Sequence, residues 1–561
     1  MVNQHPEFGA MILKALPVLL TVLLVTNSFH DARAESTSAI IDGPNNDKVD
    51  DVQTPEVEKN VAVQRLKKTA GDAYALALYC LGFLYDYGYV FPQSDRASAR
   101  CYRVAAECGH ERAQYALGSM HYNGRGVPWD YREAVRWITK AAEQGHAEAQ
   151  YTLGAMYYSG RCVPQDTQKA AAWYRKAAEQ NLVVAQRCLG WMYDHGEGVP
   201  RDAKKAVAWY HKAAKQGHAQ AQYDLGEKYD HGWGVAQDDT KAMEWFRRAA
   251  EQGHAEAQYK LGGFYDRLRD GPEHHREAVR WYTKAAEHGH ARAQHDLGVM
   301  AYHGAGVPRN DEAAARWFRM AAEQGLAESQ GYLGVMYYYG RGVPRDHTEA
   351  AQWLTKAAER DMAFAQDMLG RMYRLGQGVR RDYEEAMQWY TRAAEQGHAR
   401  AQHDLGRMYH IGLGVREDRE QAARWLMRSA EQGFAPAQCR LGTIYLEEGS
   451  ELQDGRLAAV WLREAAGQGY APAQNMIALM YHSGTGVSED PIEAYGWYEL
   501  ASMHDGEFAP FARLARNLIG QLHQSMTPAQ IKEGQRRARE LRAVIERSAN
   551  ANGASAERVI E

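Results

Sequence analysis

Apolar residues recur along this chain with helical spacing, in short bursts separated by glycine-rich turns. In the stretch 146–181, Ala149, Leu153, Met156 and Tyr157 stand at i, i+4, i+7 and i+8, one face of an α-helix. Gly160-Arg161-Cys162-Val163-Pro164-Gln165-Asp166 then interrupts the pattern. Gly and Pro break a helix, and Asp166 is placed to cap the next one. Ala170, Trp173 and Ala177 form a second helical face, ended by Gln180-Asn181, in phase with Gln144-Gly145 one period earlier. Gly and Asn tolerate the left-handed backbone that closes a helix. The stretch predicts two antiparallel helices of about a dozen residues each.

The pattern repeats without slip. Leu-Gly pairs begin at Leu81, Leu117, Leu153, Leu189, Leu225, Leu261, Leu297, Leu333, Leu369, Leu405 and Leu441, each 36 residues from the last, and Ile477-Ala478 keeps the phase. These mark repeats 1 to 12. A glycine inside a helix costs about 1 kcal/mol relative to alanine, so its recurrence predicts a close approach of two helix backbones. The Trp that recurs from Trp137 to Trp497, with Cys101 in its place in repeat 1, is expected to sit against that glycine. Neither helix of a repeat can bury its apolar face alone, so neighbours must supply the other wall. The expected fold is all-α: a right-handed α/α superhelical solenoid of twelve 36-residue helix-turn-helix repeats with helical caps and a curved inner surface.

The ends depart from this period. Lys14 precedes an apolar run over 15–25, and Ala32-Arg33-Ala34 supplies small residues at cleavage spacing, the layout of a secretory signal peptide. Cleavage is expected between Ala34 and Glu35, with translation starting at Met1 or, given Glu7 in the leader, at Met11. The run is shorter than the ~20 residues a spanning helix needs, and no later segment is apolar enough. The expectation is a periplasmic or secreted protein with no stable membrane span after cleavage. The organisation read from the chain is a signal peptide at 1–34, a polar linker at 35–60, an N-terminal capping helix at 61–72 and twelve repeats over 73–505. C-terminal capping helices follow at 506–547, where Thr527-Pro528 opens a long charged helix, and then a flexible tail at 548–561.

Charge and chemistry narrow the function. The 561 residues include 66 Lys+Arg against 71 Asp+Glu, a net −5 without a basic domain, which argues against a nucleic-acid partner. Six histidines (His110, His146, His218, His254, His290, His398) follow the glycine that ends a repeat. Packed helices lie about 8–10 Å apart, whereas zinc needs nitrogens about 2 Å from one ion, so this ladder cannot share a metal. In repeat 6 the segment 266–275 replaces the usual turn at equal length and carries the one local cluster, Glu273-His274-His275; a tolerant turn is the simpler reading. His-Glu-x-x-His, Gly-x-Ser-x-Gly, Ser-x-x-Lys and Gly-x-x-x-x-Gly-Lys motifs are missing from the sequence. No enzyme, metal or cofactor is expected.

Ala149-Gln150-Tyr151-Thr152-Leu153-Gly154-Ala155-Met156-Tyr157-Tyr158-Ser159-Gly160, followed by Val163-Pro164-Gln165-Asp166, Ala170 to Trp173 and Lys176-Ala177-Ala178, resembles the Sel-1-like repeat of the tetratricopeptide-like α/α solenoids. The resemblance covers about residues 73–505. It implies a scaffold that binds a protein partner, with a glycan as second candidate, in envelope assembly, exopolysaccharide export or host interaction. The alternative it leaves open is a cell-wall or β-lactam hydrolase of the cysteine-rich type. In that branch each repeat is stapled by a disulfide. Here six cysteines are scattered, and a bridge of Cys80 with Cys101 or Cys108 is the one pairing considered for the first repeat.

Binding is expected on the first helix of each repeat, at the residues two before the Leu, two after it and five after it. Packing positions stay constant between repeats, whereas these vary: Tyr115, Ser119 and Tyr122; Tyr151, Ala155 and Tyr158; Arg187, Trp191 and Asp194; Tyr223, Glu227 and Asp230; Tyr259, Gly263 and Asp266. They continue as His295, Val299 and Tyr302; Gly331, Val335 and Tyr338; Asp367, Arg371 and Arg374; His403, Arg407 and His410. Tyr, Trp and Arg anchor interfaces. The stripe runs from aromatic through acidic to basic, which suggests a ligand with the opposite order of charge.

Overall fold

The computed structural model describes residues 55–268, 271–447 and 451–556, with side chains from residue 71 onward except Pro272 and 548–556. The signal segment and most of the expected linker lie outside these residues. Among the described residues every regular element is a helix. The chain divides into two compact units, Met1–Phe264 and Tyr265–Glu561, and each is a stack of helix pairs.

Repeat 3 shows how the sequence makes a pair. Its helices run Ala147–Ser159 and Thr167–Glu179. Asp166 caps the second, accepting from the Lys169 backbone N–H at 2.9 Å. The first is capped by His146, whose Nδ1 accepts from the Ala149 N–H at 3.2 Å. The recurring histidines are therefore helix N-caps, a role their spacing alone did not suggest. Burial lowers the pKa of His110, His146, His218 and His254 below the ordinary 6.5, which keeps the capping nitrogen an acceptor. Asn181 takes the left-handed conformation (φ 65°) that glycine takes elsewhere.

The close approach at the Leu-Gly glycines is present, but the tryptophan is not what meets them. A Cβ on Gly154 would lie 2.8 Å from Tyr174 Cδ1, and one on Gly118 would lie 2.7 Å from Ile138 Cγ1. The opposing group is the residue after each Trp. One step along a helix turns a side chain by about 100°, so the neighbour points inward. The indoles instead lie under cations one turn on: Lys176 Nζ sits 4.0 Å from the Trp173 ring, and Lys212 Nζ stands at the same distance from Trp209.

A buried amide ladder runs through the stack. Gln150, 4% exposed, donates to the Ala142 carbonyl at 3.0 Å and accepts from Gln180 Nε2 at 2.8 Å. The same two bonds recur at Gln186 with Gln216 in the N-terminal unit and at Gln402 with Gln432 in the C-terminal unit. Each amide thus joins a repeat to its neighbour.

At the ends, the expected 61–72 cap falls within a helix that starts earlier, at Pro55 inside the expected linker, and is interrupted at Gly71 (φ 33°, ψ −106°). The C-terminal helices are Ala509–Ser525 and Pro528–Ala556. The second runs nine residues, 548–556, into the segment expected to be a loose tail, because that stretch holds no helix breaker stronger than Gly553. Thr527 Oγ1 accepts from the Gln530 N–H at 3.3 Å while Gln530 Oε1 accepts from the Thr527 N–H at 2.9 Å, a reciprocal cap. Cys80 and Cys101 are unbridged thiols, both raised to about 11 by burial.

Candidate partner-binding stripe

The stripe residues do not form a freely solvated face. Tyr115, Tyr122, Tyr151, Tyr158, Arg187, Trp191, Asp194, Tyr223, Glu227, Asp230, Tyr259, Tyr302, Arg371, Arg374 and Arg407 are all half-buried, and Tyr338 is buried. They are held by the next repeat in a fixed register. The residue two before the Leu lies against the capping histidine 31 positions on: Tyr115 stacks on His146 (5.0 Å between centroids) and Tyr223 on His254 (4.9 Å). It also meets the residue 37 positions on. Tyr115 Oη and Thr152 Oγ1 share a hydrogen bond of 3.3 Å, and Arg187 Nε donates to Asp224 Oδ2 at 2.9 Å.

Other stripe residues are held in the same way. Lys228 Nζ reaches Asp194 Oδ2 at 2.5 Å, and Lys260 Nζ reaches Glu227 Oε1 at 2.9 Å. Burial opposes the charge of Arg187, but the Asp224 carboxylate outweighs it and raises the pKa. Glu227, Asp230 and His231 bring ligand atoms within 4.8 Å of one another, though the ammonium of Lys260 already faces Glu227.

Sequence reasoning missed the turn residue eight after the Leu. Arg125 bridges Asp86 and Asp95 (2.9 Å to the latter), Arg341 donates to the Tyr302 hydroxyl, and the Tyr338 hydroxyl donates to Gln377 Oε1 at 2.5 Å. Tyr79, Phe83 and Asp86 of repeat 1 also belong to the stripe; they stand in the same phase and were legible by that rule.

In the N-terminal unit the stripe opens into clefts. One of about 220 Å³ lies among Tyr115, Tyr122, Ala155, Ser159 and Arg161. Another of about 270 Å³ is lined by Tyr158, Tyr174, Arg187, Cys188 and Trp191. A larger and more polar one, about 740 Å³, is walled by Tyr79, Phe83, Asp86, Tyr115, Arg125 and His146. Aromatic walls with an arginine at the rim can bury an apolar side chain and hold a polar group beside it.

Stacked helix pairs with a constant interior and a variable face define an α/α repeat protein of the binding type. A family model described as "Sel1 repeat" matches twelve times without a gap between 74 and 505, from 74–110 to 471–505. The chain belongs to the Sel1 repeat family, whose repeats typically mediate protein–protein interaction. Among solved structures it is similar to a protective antigen present in uropathogenic Escherichia coli strains, displaying an SLR fold. That match has 33% identity and a TM-score of 0.76, and covers 82% of this chain and 98% of that one. A Sel1 repeat protein from Oxalobacter formigenes matches at 33% identity over 44% of this chain and 96% of its own (TM-score 0.38). An immunity protein from Pseudomonas aeruginosa matches at 25% over 38% and 80% (TM-score 0.26). No curated protein matches.

Proposed function

We propose that this chain is an exported Sel1-repeat scaffold that captures a protein partner along the first-helix stripe, in envelope assembly, exopolysaccharide export or host contact. The observation that carries the reading is the pair of aromatic clefts at Tyr115/Tyr122 and Tyr158/Trp191, built from positions that vary while the packing around them does not. Export is supported by the signal-like segment before Glu35 and by the similar Escherichia coli protein being a protective antigen.

The test is an affinity capture from the envelope fraction with the native chain and with a Tyr151→Ala/Trp191→Ala/Tyr223→Ala variant. Capture should be lost in the variant while its circular-dichroism melt stays cooperative. Equal capture by both would move the site off this stripe. N-terminal sequencing of the mature protein should begin at Glu35, and an intact leader would remove export by cleavage.

A further inference from the structure

In the C-terminal unit the stripe register brings two acids together. Asp367 is two before its Leu, and 37 positions on stands Asp404. Asp367 is 1% exposed, and its Oδ1 has no hydrogen-bond partner. His398 Nδ1 is 4.0 Å away but already accepts from the Ala401 N–H at 3.3 Å. Burial, and then the charge of Asp404, push Asp367 up to about 7. Burial would also raise Asp404, but His403 (Nδ1–Oδ1 3.4 Å), Arg374 and Arg407 prevail and hold it below the ordinary carboxylate value.

Around this pair gather four half-buried arginines: Arg371 and Arg374 on the helix Ala363–Leu375, and Arg400 and Arg407 on the helix Ala399–Ile411. Arg374 Nε donates to the Tyr390 hydroxyl at 3.4 Å. Among the described residues, Arg371, Arg400 and Arg407 have no hydrogen bond or ion pair to the protein; Arg371 only overlies the Tyr338 ring, at 5.7 Å. The two acids offset part of this charge at a distance, but the guanidinium N–H groups of Arg371, Arg400 and Arg407 keep their hydrogen-bonding capacity for a ligand.

We propose that this arginine cradle docks a short acidic segment of a protein partner, a run of Asp or Glu side chains whose carboxylates pair with Arg371, Arg374 and Arg407. The assignment rests on the scaffold reading and names the partner chemistry for this part of the stripe. Guanidinium forks take carboxylates in two-point geometry. The cradle is short. On one side Glu447 accepts from His410 (2.7 Å) and pairs with Arg419 (3.3 Å), so a long polyanion would meet a carboxylate there. On the other side the buried Tyr338 backs the exposed Tyr339 ring, which offers a seat for an apolar or aromatic residue beside the acidic run.

The site also has a proton signature. The groups facing Asp367 are Arg371 and Arg374 on its own helix, His398, Arg400 and Asp404 from the next repeat, and Tyr390 from the second helix. As pH rises through about 7, Asp367 gains a negative charge beneath the arginines, so affinity for an acidic segment falls.

The experiment titrates a fluorescein-labelled hexaglutamate peptide against the full chain at low salt, by anisotropy. Arg371→Ala/Arg407→Ala should weaken binding about tenfold or more. Arg392→Ala/Arg428→Ala, which removes the same charge from second helices, should not. The native protein should bind more weakly at pH 8 than at pH 6, and Asp367→Asn should flatten that dependence. Should Arg371→Ala/Arg407→Ala disturb the melt, Gln replaces Ala at both positions.

Peptide binding unaffected in the cradle variant overturns the assignment. So does tighter binding of an oligogalacturonate or a single-stranded oligonucleotide of equal charge. Envelope capture without hexaglutamate binding would sink this assignment alone, whereas no capture at all would sink the scaffold reading.

Discussion

The register that joins Arg187 to Asp224 in the N-terminal unit sets Asp404 within electrostatic reach of Asp367 in the C-terminal unit, with the opposite electrostatics. In the first case a half-buried cation meets a carboxylate at 2.9 Å, and the contact ties two repeats. In the second, the charge of one acid bears on another that is buried, and one oxygen of the buried acid has no hydrogen-bond partner. The backbone arrangement is the same, so the fold does not demand the second solution. An interaction that costs stability where a stabilising one was available marks a place shaped by something other than folding.

The largest effect that could break this comparison is Asp367→Asn. The folded carboxyl has its pKa raised from 3.8 to about 7. Its favourable contribution is complete below the unfolded value and is lost as pH climbs through the folded one. At about 1.36 kcal/mol per pH unit the ceiling is near 4 kcal/mol, less whatever relaxation relieves. The stability gained by the Asn variant should be close to zero below pH 4, grow to pH 7 and level off above pH 8. Urea melts across that range would read it. A gain independent of pH would mean that Asp367 is not the strained group.

How much of this was legible beforehand follows a physical line. The 36-residue period, the helix faces, the Asp166 cap and the left-handed Asn181 were readable because local chemistry decides them. That the stripe residues share one face was readable from their helical spacing; that the next repeat half-buries them was not. The partner of the interior glycine was misassigned to the Trp because spacing alone cannot choose between adjacent residues whose directions differ by about 100°. The capping histidines, the buried glutamines and the proximity of Asp367 and Asp404 were invisible for other reasons. The histidine cap is local, but histidine is not among the residue types expected at that position; the other two depend on side chains some 30 to 37 positions apart (Gln150 with Gln180, Asp367 with Asp404). No periodicity within one helix reports those.

Double-mutant cycles sharpen the same contrast at smaller scale. Arg187→Ala/Asp224→Ala should show a favourable coupling of about 1–2 kcal/mol, and Asp367→Ala/Asp404→Ala at pH 8 an unfavourable one. Urea midpoints of the four single and two double variants are sufficient. Two couplings of the same sign would leave the register without the functional meaning given to it.

The smallest effect tests whether strain elsewhere in the C-terminal unit is structural rather than functional. The amide ladder fails at Gln330, whose buried Oε1 has no partner, because position 360 carries Arg in place of Gln. Arg360 donates to the Gly325 carbonyl and does not reach the amide. In repeat 3, Gln180 Nε2 serves both acceptors at once, the Gly145 carbonyl and Gln150 Oε1, each at 2.8 Å. Arg360→Gln should therefore keep the existing bond, restore the missing one and raise stability by about 1 kcal/mol, with slower amide exchange in the helix Ala327–Tyr339. Hexaglutamate binding at the cradle should not move. If stability falls instead, the ladder is an incidental contact and not part of what joins the repeats; if binding moves with it, the two kinds of strain are not separate.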